Sequence, residues 1–505
     1  MFEIVFLVLF AYALRIAPHY ILRQSAGVDQ WFWRAYIGKL RSDRKFPPEL
    51  PQFLLDVAQW YPPLFPVLLA RLPTGAFERH AHRFAVLIDV ARLVLLCAAV
   101  RWLSGSNQAV LIAGLAYAIT PVLISYNMQL NPRGLGALFL DMVWLAVAGL
   151  IFFDAPNLMW VAACGLGGLI LLTHKMTTQL FVFTAISGAV IASDVRLALL
   201  VPGSIIAALI LSAGFYRRVF QAHSDIVSFW YRNWQWSGSH PVLESPVYGE
   251  PGYESPGKYY RLGFRAWLRR LQFVVGFNPW VPAVLGVLVV ALFTGYNFTS
   301  LEKWVAGWLA LTFTFALITT LVPALRCFGQ GYLYGYNGSF PAALTLGLTS
   351  VSLASTWTWR IIALGSVLAC VTALVAYFRA LGSSRTAKVD SHLDAAVRHL
   401  ARLPKGAVMC LPQHWHDLVA FRTGHPVVFG GHGFGFRRLD PVFPRLLEKI
   451  QDIVATYNVR YLLTYRGYCN SRFLADLPPA TVTEFGDYQL YRFALHSIDD
   501  AGPSP

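Results

Sequence analysis

Long apolar runs separated by polar turns dominate the hydropathy pattern of this chain. Each run is about 18 to 22 residues long, which is enough to cross the ~30 Å hydrocarbon core of a bilayer. The pattern predicts about eleven transmembrane helices, near residues 2–17, 84–103, 108–126, 135–153, 157–173, 177–193, 197–215, 278–295, 303–322, 338–354 and 358–380. We therefore expect a polytopic α-helical membrane protein.

Two long polar stretches interrupt the apolar runs, and a polar tail follows them. The interruptions are a first long loop, 18–83, and a second long loop, 216–278, so residues 1–380 are predicted to form one transmembrane domain. In the tail, short apolar runs alternate with helix-like stretches, which is typical of a soluble α/β domain over residues 385–505. The predicted strands are Ala407–Leu411, Val427–Phe429 and Tyr461–Thr464, and the helices lie near 415–421 and 442–457.

The composition agrees with this pattern and limits the classes of partner that are expected. Of 505 residues, 56% are hydrophobic and only 13% are charged, whereas soluble domains carry about 25% charged residues. The net charge of +15 comes from Lys and Arg in the loops, where anionic headgroups or a phosphate-bearing lipid are the expected partners, and not nucleic acid. The six cysteines are isolated in the sequence, so neither a disulfide framework nor a zinc site is predicted.

The order of the spans gathers the polar segments on one side of the membrane. With eleven spans, every segment after an odd-numbered span lies on the same face. Both long loops and the tail follow odd-numbered spans, and so do the turns that contain Arg133, His174–Lys175 and Arg326. We therefore expect the chemistry on that face. The few Lys and Arg in the short turns do not decide which side of the membrane it is.

The first long loop contains an acidic residue at the start of an amphipathic segment. Asp29 precedes an aromatic face and a basic face, which predict a helix lying in the headgroup plane; the faces are formed by Trp31, Phe32, Tyr36 and Leu40, and by Arg34, Lys39 and Arg41. Asp29 also suits a helix N-cap. Further along, Tyr61-Pro-Pro-Leu64 ends any helix and returns the chain to the membrane.

These features together resemble the GT-C superfamily of membrane glycosyltransferases. The resemblance rests on one span, Asp29 in an amphipathic loop, the Tyr61-Pro-Pro-Leu64 stretch and Arg83 at the start of the second span. It extends to the many spans, the long loops and the soluble tail on one face. The branch that it resembles most includes protein mannosyltransferases and aminoarabinose transferases.

The resemblance implies a transferase that takes a sugar from a polyprenyl-phosphate carrier and inverts its anomeric centre. The position of the family's catalytic aspartate matches Asp29, which would accept the proton of the acceptor hydroxyl or amine. No second acidic residue adjoins Asp29, so neither a metal nor another cofactor is expected, and Asp56 is interpreted as structural. The resemblance also implies a bacterial or archaeal plasma (inner) membrane, with the active site on its extracytoplasmic face.

A donor site is predicted at the span ends on the same face. Lys175 and Arg326 would bind the lipid phosphate, with His174 as a third donor, because fixed cations stabilise a leaving phosphate. Cations at span ends also reach headgroups without any ligand. The predicted substrate-binding residues are Tyr61, Gln330, Tyr332 and Trp234. Trp234 belongs to a cluster of aromatic residues in the second loop. The cluster suits an interfacial belt with a flexible connector and also a lid, and the two interpretations are compatible.

Other functions fit the same architecture. A secondary transporter or a lipid or oligosaccharide flippase is the main alternative, although no internal repeat is visible in the sequence. An O-antigen polymerase or ligase is a further alternative that differs mainly in the acceptor. A glycan, a lipid or a protein could accept the sugar, and membrane lipids surround the spans.

Overall fold

The computed structural model describes residues 2–22, 27–54, 60–253, 255, 263–383, 390–430 and 439–494. The chain divides into two compact units. The helical unit comprises Met1–Gly27, Pro62–Trp234 and Arg261–Ser384, and the mixed unit comprises Val28–Tyr61, Gln235–Tyr260 and Arg385–Pro505. The mixed unit thus combines parts of both long loops with the C-terminal region. The division predicted from hydropathy, 1–380 against 385–505, stays a prediction.

Helices make up most of the described chain. In order they are α1 Phe2–Leu22, α2 Asp29–Asp43, α3 Leu64–Ala70, α4 Thr74–Ser104, α5 Asn107–Ala118, α6 Pro121–Asn127, α7 Arg133–Phe152, α8 Leu158–Leu171, α9 Lys175–Ala192, α10 Val195–Leu211, α11 Tyr216–Asn233, α12 Phe264–Phe277, α13 Trp280–Phe293, α14 Ser300–Leu321, α15 Gly335–Leu353, α16 Trp357–Ser383, α17 Ser391–Arg402, α18 His416–Thr423, α19 Ile450–Thr456 and α20 Ser471–Ala475. Short 3-10 helices cover Trp234–Trp236, Pro323–Phe328, Gly331–Tyr334 and Gln413–Trp415.

Each predicted span coincides with a helix or a helix pair. Among the described residues, five helices are long and apolar enough to cross a membrane, namely α1, α7, α9, α14 and α16. The bent pairs α5–α6 (53°) and α12–α13 (89°) raise the number to seven, and α8 and α10 are shorter apolar helices. The chain is therefore a multi-pass helical membrane protein, as predicted, and the full count of eleven spans stays a prediction.

Local sequence explains where several of these helices begin. The Ser106 side chain accepts a hydrogen bond from the backbone of Ala109 and caps α5. Thr299 and Glu302 form a reciprocal capping box at the start of α14. Such caps satisfy backbone N–H groups that have no partner within the helix. These signals place helix starts at the polar turns that separate the apolar runs.

A chain of buried ionic side chains crosses the helical unit. Arg15 binds Asp89, and Arg92 donates to Asp141 over 2.7 Å. The Tyr117 hydroxyl donates to Asp89 over 2.7 Å. All four ionic side chains are essentially inaccessible to solvent. Two positive and two negative charges are therefore balanced inside the bundle.

Arg15, one of these ionic residues, also stabilises the end of α5 at the bend between α5 and α6. Arg15 donates to the carbonyl oxygens of Ala118, at 3.0 Å, and Tyr117, at 3.3 Å. The carbonyls at the end of a helix lack partners within the helix. Arg15 therefore supplies the hydrogen bonds that the bend removes.

A four-stranded sheet forms the core of the mixed unit. Its strands are β1 Ala407–Leu411, β2 Val459–Tyr465, β3 Ala480–Phe485 and β4 Tyr488–Phe493, in the order β1-β2-β4-β3. The β1–β2 pair is parallel, and β2–β4 and β4–β3 are antiparallel. The C-terminal region is therefore a mixed sheet with helices, in agreement with the predicted α/β class.

The individual strand predictions have different outcomes. Ala407–Leu411 is confirmed as β1, and Tyr461–Thr464 lies within β2. Val427–Phe429 is not a regular strand, because Val427 makes only isolated bridges to Phe53 and Val408.

Candidate functional site

Arg133 lies at the centre of a polar cluster at one end of the helical unit. It is the first residue of α7, and its side chain is largely buried, with 9% of the residue exposed. Its Nη1 lies 3.5 Å from the Leu333 carbonyl and 3.9 Å from the Met176 sulfur. The guanidinium carbon lies 4.9 Å from the centre of the Tyr126 ring. Arg133 thus joins the starts of α7 and α9 to the segment after α14.

His174 and Lys175 lie at the start of α9. His174 occupies the N-cap position, where its Nδ1 accepts a hydrogen bond from the Thr177 backbone over 3.3 Å. Only Nε2 of the ring could therefore contact a ligand. Lys175 is the first residue of the helix, where the helix dipole adds to the positive charge. Their predicted role in binding a phosphate stays a prediction.

A hydrogen-bonded chain lies one turn beyond Lys175. The Tyr334 hydroxyl is 2.6 Å from Oε1 of Gln179 and 2.9 Å from the Phe328 carbonyl. Nε2 of Gln179 lies 2.8 Å from Nε2 of His223 on α11. Burial, together with the nearby Lys175 ammonium, lowers the pKa of His223 to about 4. The ring is therefore neutral at ordinary pH and accepts the hydrogen bond from Gln179.

Arg326 is buried in the 3-10 helix that follows α14. Its Nε donates to the Thr320 carbonyl over 3.2 Å, and Nη2 lies 3.4 Å from the Leu321 carbonyl. Its guanidinium carbon lies 4.8 Å from the centre of the Trp234 ring. The structure therefore brings together two predicted site residues, Arg326 and Trp234, in a cation–π contact.

Gln330 and Tyr332 also lie in this region. The Tyr332 hydroxyl donates to Gln330 and lies 3.3 Å from the Tyr126 hydroxyl, and its ring packs 4.8 Å from that of Phe277. Beside them opens a groove with a volume of about 340 Å³. Its lining is mainly apolar and aromatic, and consists of Pro121, Ser125, Gln272, Phe273, Gly276, Phe277, Ala373 and Tyr377.

Asp29 and Tyr61 belong to the mixed unit. Asp29 is the first residue of α2, and Val28 occupies the N-cap position without a side-chain hydrogen bond. The alternative that Asp29 is the N-cap is therefore wrong. Tyr61 is buried and packs edge-to-face on Trp33, with 4.9 Å between ring centres.

The aromatic face of α2 differs from the prediction. Phe32, Trp33 and Tyr36 are almost completely buried. Phe32 packs 5.9 Å from Phe53, and Trp33 contacts Tyr61. Protein side chains, and not lipid headgroups, therefore cover this part of the helix.

The described part of the Pro/Gly/Ser-rich second loop is bound to the C-terminal region. The Tyr248 hydroxyl donates to Asp476 over 2.5 Å and accepts from the Ile450 backbone over 2.6 Å. The Arg445 guanidinium carbon lies 3.3 Å from the centre of the Trp236 ring. These contacts join the described part of the loop to the C-terminal part of the mixed unit, and the flexible connector stays a prediction.

No family model and no curated protein matches the sequence, but solved structures match the fold. ArnT from Cupriavidus metallidurans bound to undecaprenyl phosphate superposes with a TM-score of 0.60 and 12% identity, over 99% of this chain and 99% of that chain. The chain has the GT-C fold. Archaeoglobus fulgidus oligosaccharyltransferase AglB, in complex with an inhibitory peptide and a dolichol-phosphate, matches with a TM-score of 0.54 and 12% identity. That match covers 92% of this chain and 69% of AglB.

The sequence pattern predicted the GT-C fold correctly but missed several polar residues of the cluster. Arg133 was noted only as a cation in a turn, and Gln179 and His223 were not singled out. One signal was available for Gln179, because it lies four residues after Lys175 and so on the same helix face. His223 carries no comparable local signal, since only the packing of distant segments brings it to Gln179.

A metal-binding cluster is not evident in the described ranges of this GT-C fold. No group of three or more His, Cys, Asp or Glu side chains among these residues has the arrangement to hold a metal ion. Asp56 lies outside the described residues. The predicted absence of a metal stays a prediction.

Proposed function

We propose that this chain is a glycosyltransferase that moves a sugar from a polyprenyl-phosphate-linked donor to an acceptor hydroxyl or amine. The observation that carries the proposal is the buried guanidinium of Arg133, in a fold shared with proteins solved with undecaprenyl phosphate and dolichol-phosphate. In the described part of the chain, no carboxylate lies within 4 Å of the Arg133 guanidinium. A buried cation of this kind fits an anionic ligand.

The donor phosphate is proposed to bind Arg133, Lys175 and Arg326, with His174 contributing through Nε2. Negative charge grows on the phosphate as the sugar–phosphate bond breaks, so fixed cations stabilise the transition state more than the ground state. Arginine can hold two phosphate oxygens with its planar fork, and lysine adds a point charge. The aromatic groove beside Tyr332 is suited to the isoprenoid chain.

The remaining predicted residues are proposed to contact the sugar and acceptor. Gln330 and Tyr332 offer hydrogen-bonding groups beside the Arg133 cluster, and Trp234 offers an aromatic face next to Arg326. Tyr61 is proposed as a further substrate contact through its hydroxyl. Its ring is buried, so the contact would be limited to the polar end.

Asp29 is proposed as the catalytic base. Its carboxylate takes the proton of the acceptor group while the acceptor atom attacks the anomeric carbon. The carbon–oxygen bond to phosphate breaks, the configuration inverts, and the polyprenyl phosphate leaves with the bonding electrons. Asp29 is the first of the 15 residues of α2, so the helix start sets the position of its carboxylate.

Substitution of Asp29 by Asn tests this role. Asn keeps the size of the side chain but cannot accept the proton, so sugar transfer should fall by about 10² or more. Asp43→Asn, at the exposed far end of the same helix, is the matched control and should keep normal transfer. Transfer by Asp29→Asn above one third of the wild-type rate, at normal expression, would remove Asp29 from the mechanism.

The topology proposed with this function has eleven spans and an extracytoplasmic site in a bacterial or archaeal plasma membrane. Single cysteines replacing Ser42 and Ser471 in a cysteine-free background should both react with an impermeant maleimide from outside. A cysteine replacing Asn157, at the start of the fifth predicted span, should not react in intact cells. Labelling of Asn157→Cys instead of the other two would invert the orientation, and a split result for Ser42 and Ser471 would break the span count.

A transporter or flippase remains the second candidate because two spans are bent. The pairs α5–α6 and α12–α13 are broken by 53° and 89°, and discontinuous helices often form the substrate sites of transporters. The Asp29→Asn variant separates the two functions. A transporter does not need a general base, so its activity on the same lipid would survive this change, whereas sugar transfer would not.

A further inference from the structure

The first turn of α2 is in contact with the C-terminal part of the mixed unit through Trp31. This residue lies two positions after Asp29. Its ring centre lies 5.6 Å from that of Phe421, and the guanidinium carbon of Arg422 lies 5.0 Å from the centre of the Trp31 ring. Phe421 and Arg422 are consecutive residues of α18. One turn of α18 therefore holds the turn of α2 that begins with Asp29.

Arg422 is itself oriented by an acidic residue on another helix. Its Nη1 binds Asp394 on α17. Asp394 also pairs with Arg398, at 3.0 Å, on the solvent side of α17. The N–H groups at the edge of a planar guanidinium group can bind a carboxylate while its face lies on an aromatic ring. Arg422 can therefore make both contacts at the same time.

The chain segment after α2 is held by the same region. The backbone of Val427 donates to the Gln52 carbonyl over 2.8 Å, and Leu54 donates to the Val427 carbonyl over 3.1 Å. Val427 follows α18 by only four residues. Residues 416–427 therefore contact both the start of α2 and the segment that follows it.

We propose that the C-terminal part of the mixed unit acts as a clamp that sets the position of Asp29, with Arg422 and Trp31 as positioning residues. The inference rests on the proposed role of Asp29 as the base. A base acts only within hydrogen-bond reach of the proton that it takes. A tilt of the first turn of α2 would move the carboxylate out of that reach while leaving the donor site in the helical unit unchanged.

The Arg422→Ala substitution tests the clamp. The kcat for sugar transfer should fall by about 10-fold to 10²-fold, the range expected for a misplaced catalytic group, and the donor KM should stay within about twofold. Arg398→Ala is the matched control, since Arg398 pairs with the same Asp394 but does not contact Trp31. Its kcat should be normal. A normal kcat in Arg422→Ala would overturn the proposal.

Hydrogen exchange gives a readout that does not depend on activity. In Arg422→Ala, amides of residues 29–43 should exchange faster, while those of β1 and β2 should be unchanged. Trp31→Leu breaks the same contact from the other side and should show the same loss of kcat. It also keeps the test valid if Arg422→Ala disturbs the sheet. Unchanged exchange in residues 29–43 of both variants would overturn the proposal.

A charge swap separates positioning from simple stabilisation. The Asp394→Arg/Arg422→Asp double variant restores an ion pair between α17 and α18 but places no cation on Trp31. The clamp predicts that kcat stays low in this double variant, whereas full recovery would show that only the ion pair matters and would overturn it.

Asp29→Asn is measured in parallel. Transfer by Asp29→Asn at the wild-type rate would contradict the proposed base. An inactive Asp29→Asn beside a fully active Arg422→Ala would contradict only the clamp.

Discussion

Two buried arginines in the helical unit have opposite surroundings. Arg92, in the middle of the bundle, donates from Nε to Asp141 over 2.7 Å, and its Nη1 lies 3.7 Å from Asp89. Arg133, at the end of the bundle, contacts a carbonyl oxygen, a sulfur and an aromatic ring. Among the described residues, Nε of Arg133 and both Nη atoms of Arg92 have no hydrogen-bond partner, so the two arginines differ in their carboxylate partners and not in their number of hydrogen bonds.

We expect this difference to separate a charge that stabilises the fold from a charge that binds a ligand. A buried ion is costly unless an opposite charge or hydrogen bonds compensate it. Around Arg92 the compensation is built into the chain, since Arg15, Asp89, Arg92 and Asp141 sum to zero charge. Around Arg133 the compensating anion is not part of the described chain, which is expected if a phosphate supplies it.

The largest effect is expected when the balanced chain is broken. Asp141→Leu removes the nearest carboxylate of Arg92 and leaves a buried cation with only Asp89, which Arg15 also binds. Loss of one partner from a buried pair costs about 3–5 kcal/mol of stability. We expect little folded protein, measured as the fraction that elutes as a monodisperse peak and as the midpoint of thermal unfolding in detergent.

The matched control removes both charges of that pair. Arg92→Leu/Asp141→Leu leaves the Arg15–Asp89 pair intact and buries no uncompensated charge. It should recover most of the stability that Asp141→Leu loses. If the double variant is as unstable as Asp141→Leu, Arg92 and Asp141 do not stabilise the fold through charge balance.

Arg133→Met should weaken donor binding without lowering the stability of the fold. The folded yield should equal or exceed that of the wild type, because the change removes a buried charge without a carboxylate partner. The donor KM should rise by about 10- to 100-fold, as expected for loss of a hydrogen bond to a charged group. Steady-state kinetics and unfolding midpoints of the same preparation measure both effects.

Ligand-induced stabilisation and double variants sharpen this result. Polyprenyl phosphate at about 100 times its Kd should stabilise the wild type by about 2.7 kcal/mol and Arg133→Met by less. Lys175→Ala and Arg326→Ala should each weaken donor use, and their combination should be less than additive if both bind one phosphate. A normal donor KM in all three single variants would leave the cluster without a role in donor binding.

Much of the fold could be predicted from the sequence, because the lipid bilayer restricts the backbone conformation of a spanning segment. Apolar runs long enough to span a bilayer must be helical, and each predicted span contains a helix. The α/β tail was predicted from β1 and β2, but the β3–β4 hairpin was missed. Gly486-Asp487 between two short β-rich runs is a hairpin signal that could have identified it.

The site was harder to predict because its parts come from distant segments. Lys175 and Arg326 were predicted from the span order, and their role in the site stays a prediction, although the Arg326 guanidinium does contact the Trp234 ring. The sequence places Asp89 three residues before Arg92, on the same helix face, but it does not show whether a carboxylate from a distant segment reaches either arginine. Only tertiary packing brings Asp141 to Arg92 and no carboxylate of the described residues to Arg133.

The smallest expected effect is on the pH dependence of stability and concerns His223, which lies near Lys175. Burial and the Lys175 ammonium lower its pKa to about 4, against about 6.5 in an unfolded chain. The unfolded state therefore binds more protons between these values, so stability is complete above pH 6.5 and is lost as the pH falls toward 4. This one group should account for about 1 kcal/mol between pH 7 and pH 5.5.

His223→Gln tests this contribution, because Gln keeps an acceptor for Gln179 but does not titrate. Its unfolding midpoint should depend less on pH than that of the wild type over this range. Lys175→Met should also weaken the dependence, since loss of the ammonium lets the pKa of His223 rise toward its ordinary value. Such a result would mean that positive charges in this region repel one another until an anion binds. Identical pH profiles for the wild type and His223→Gln would show instead that folding does not lower the pKa of His223.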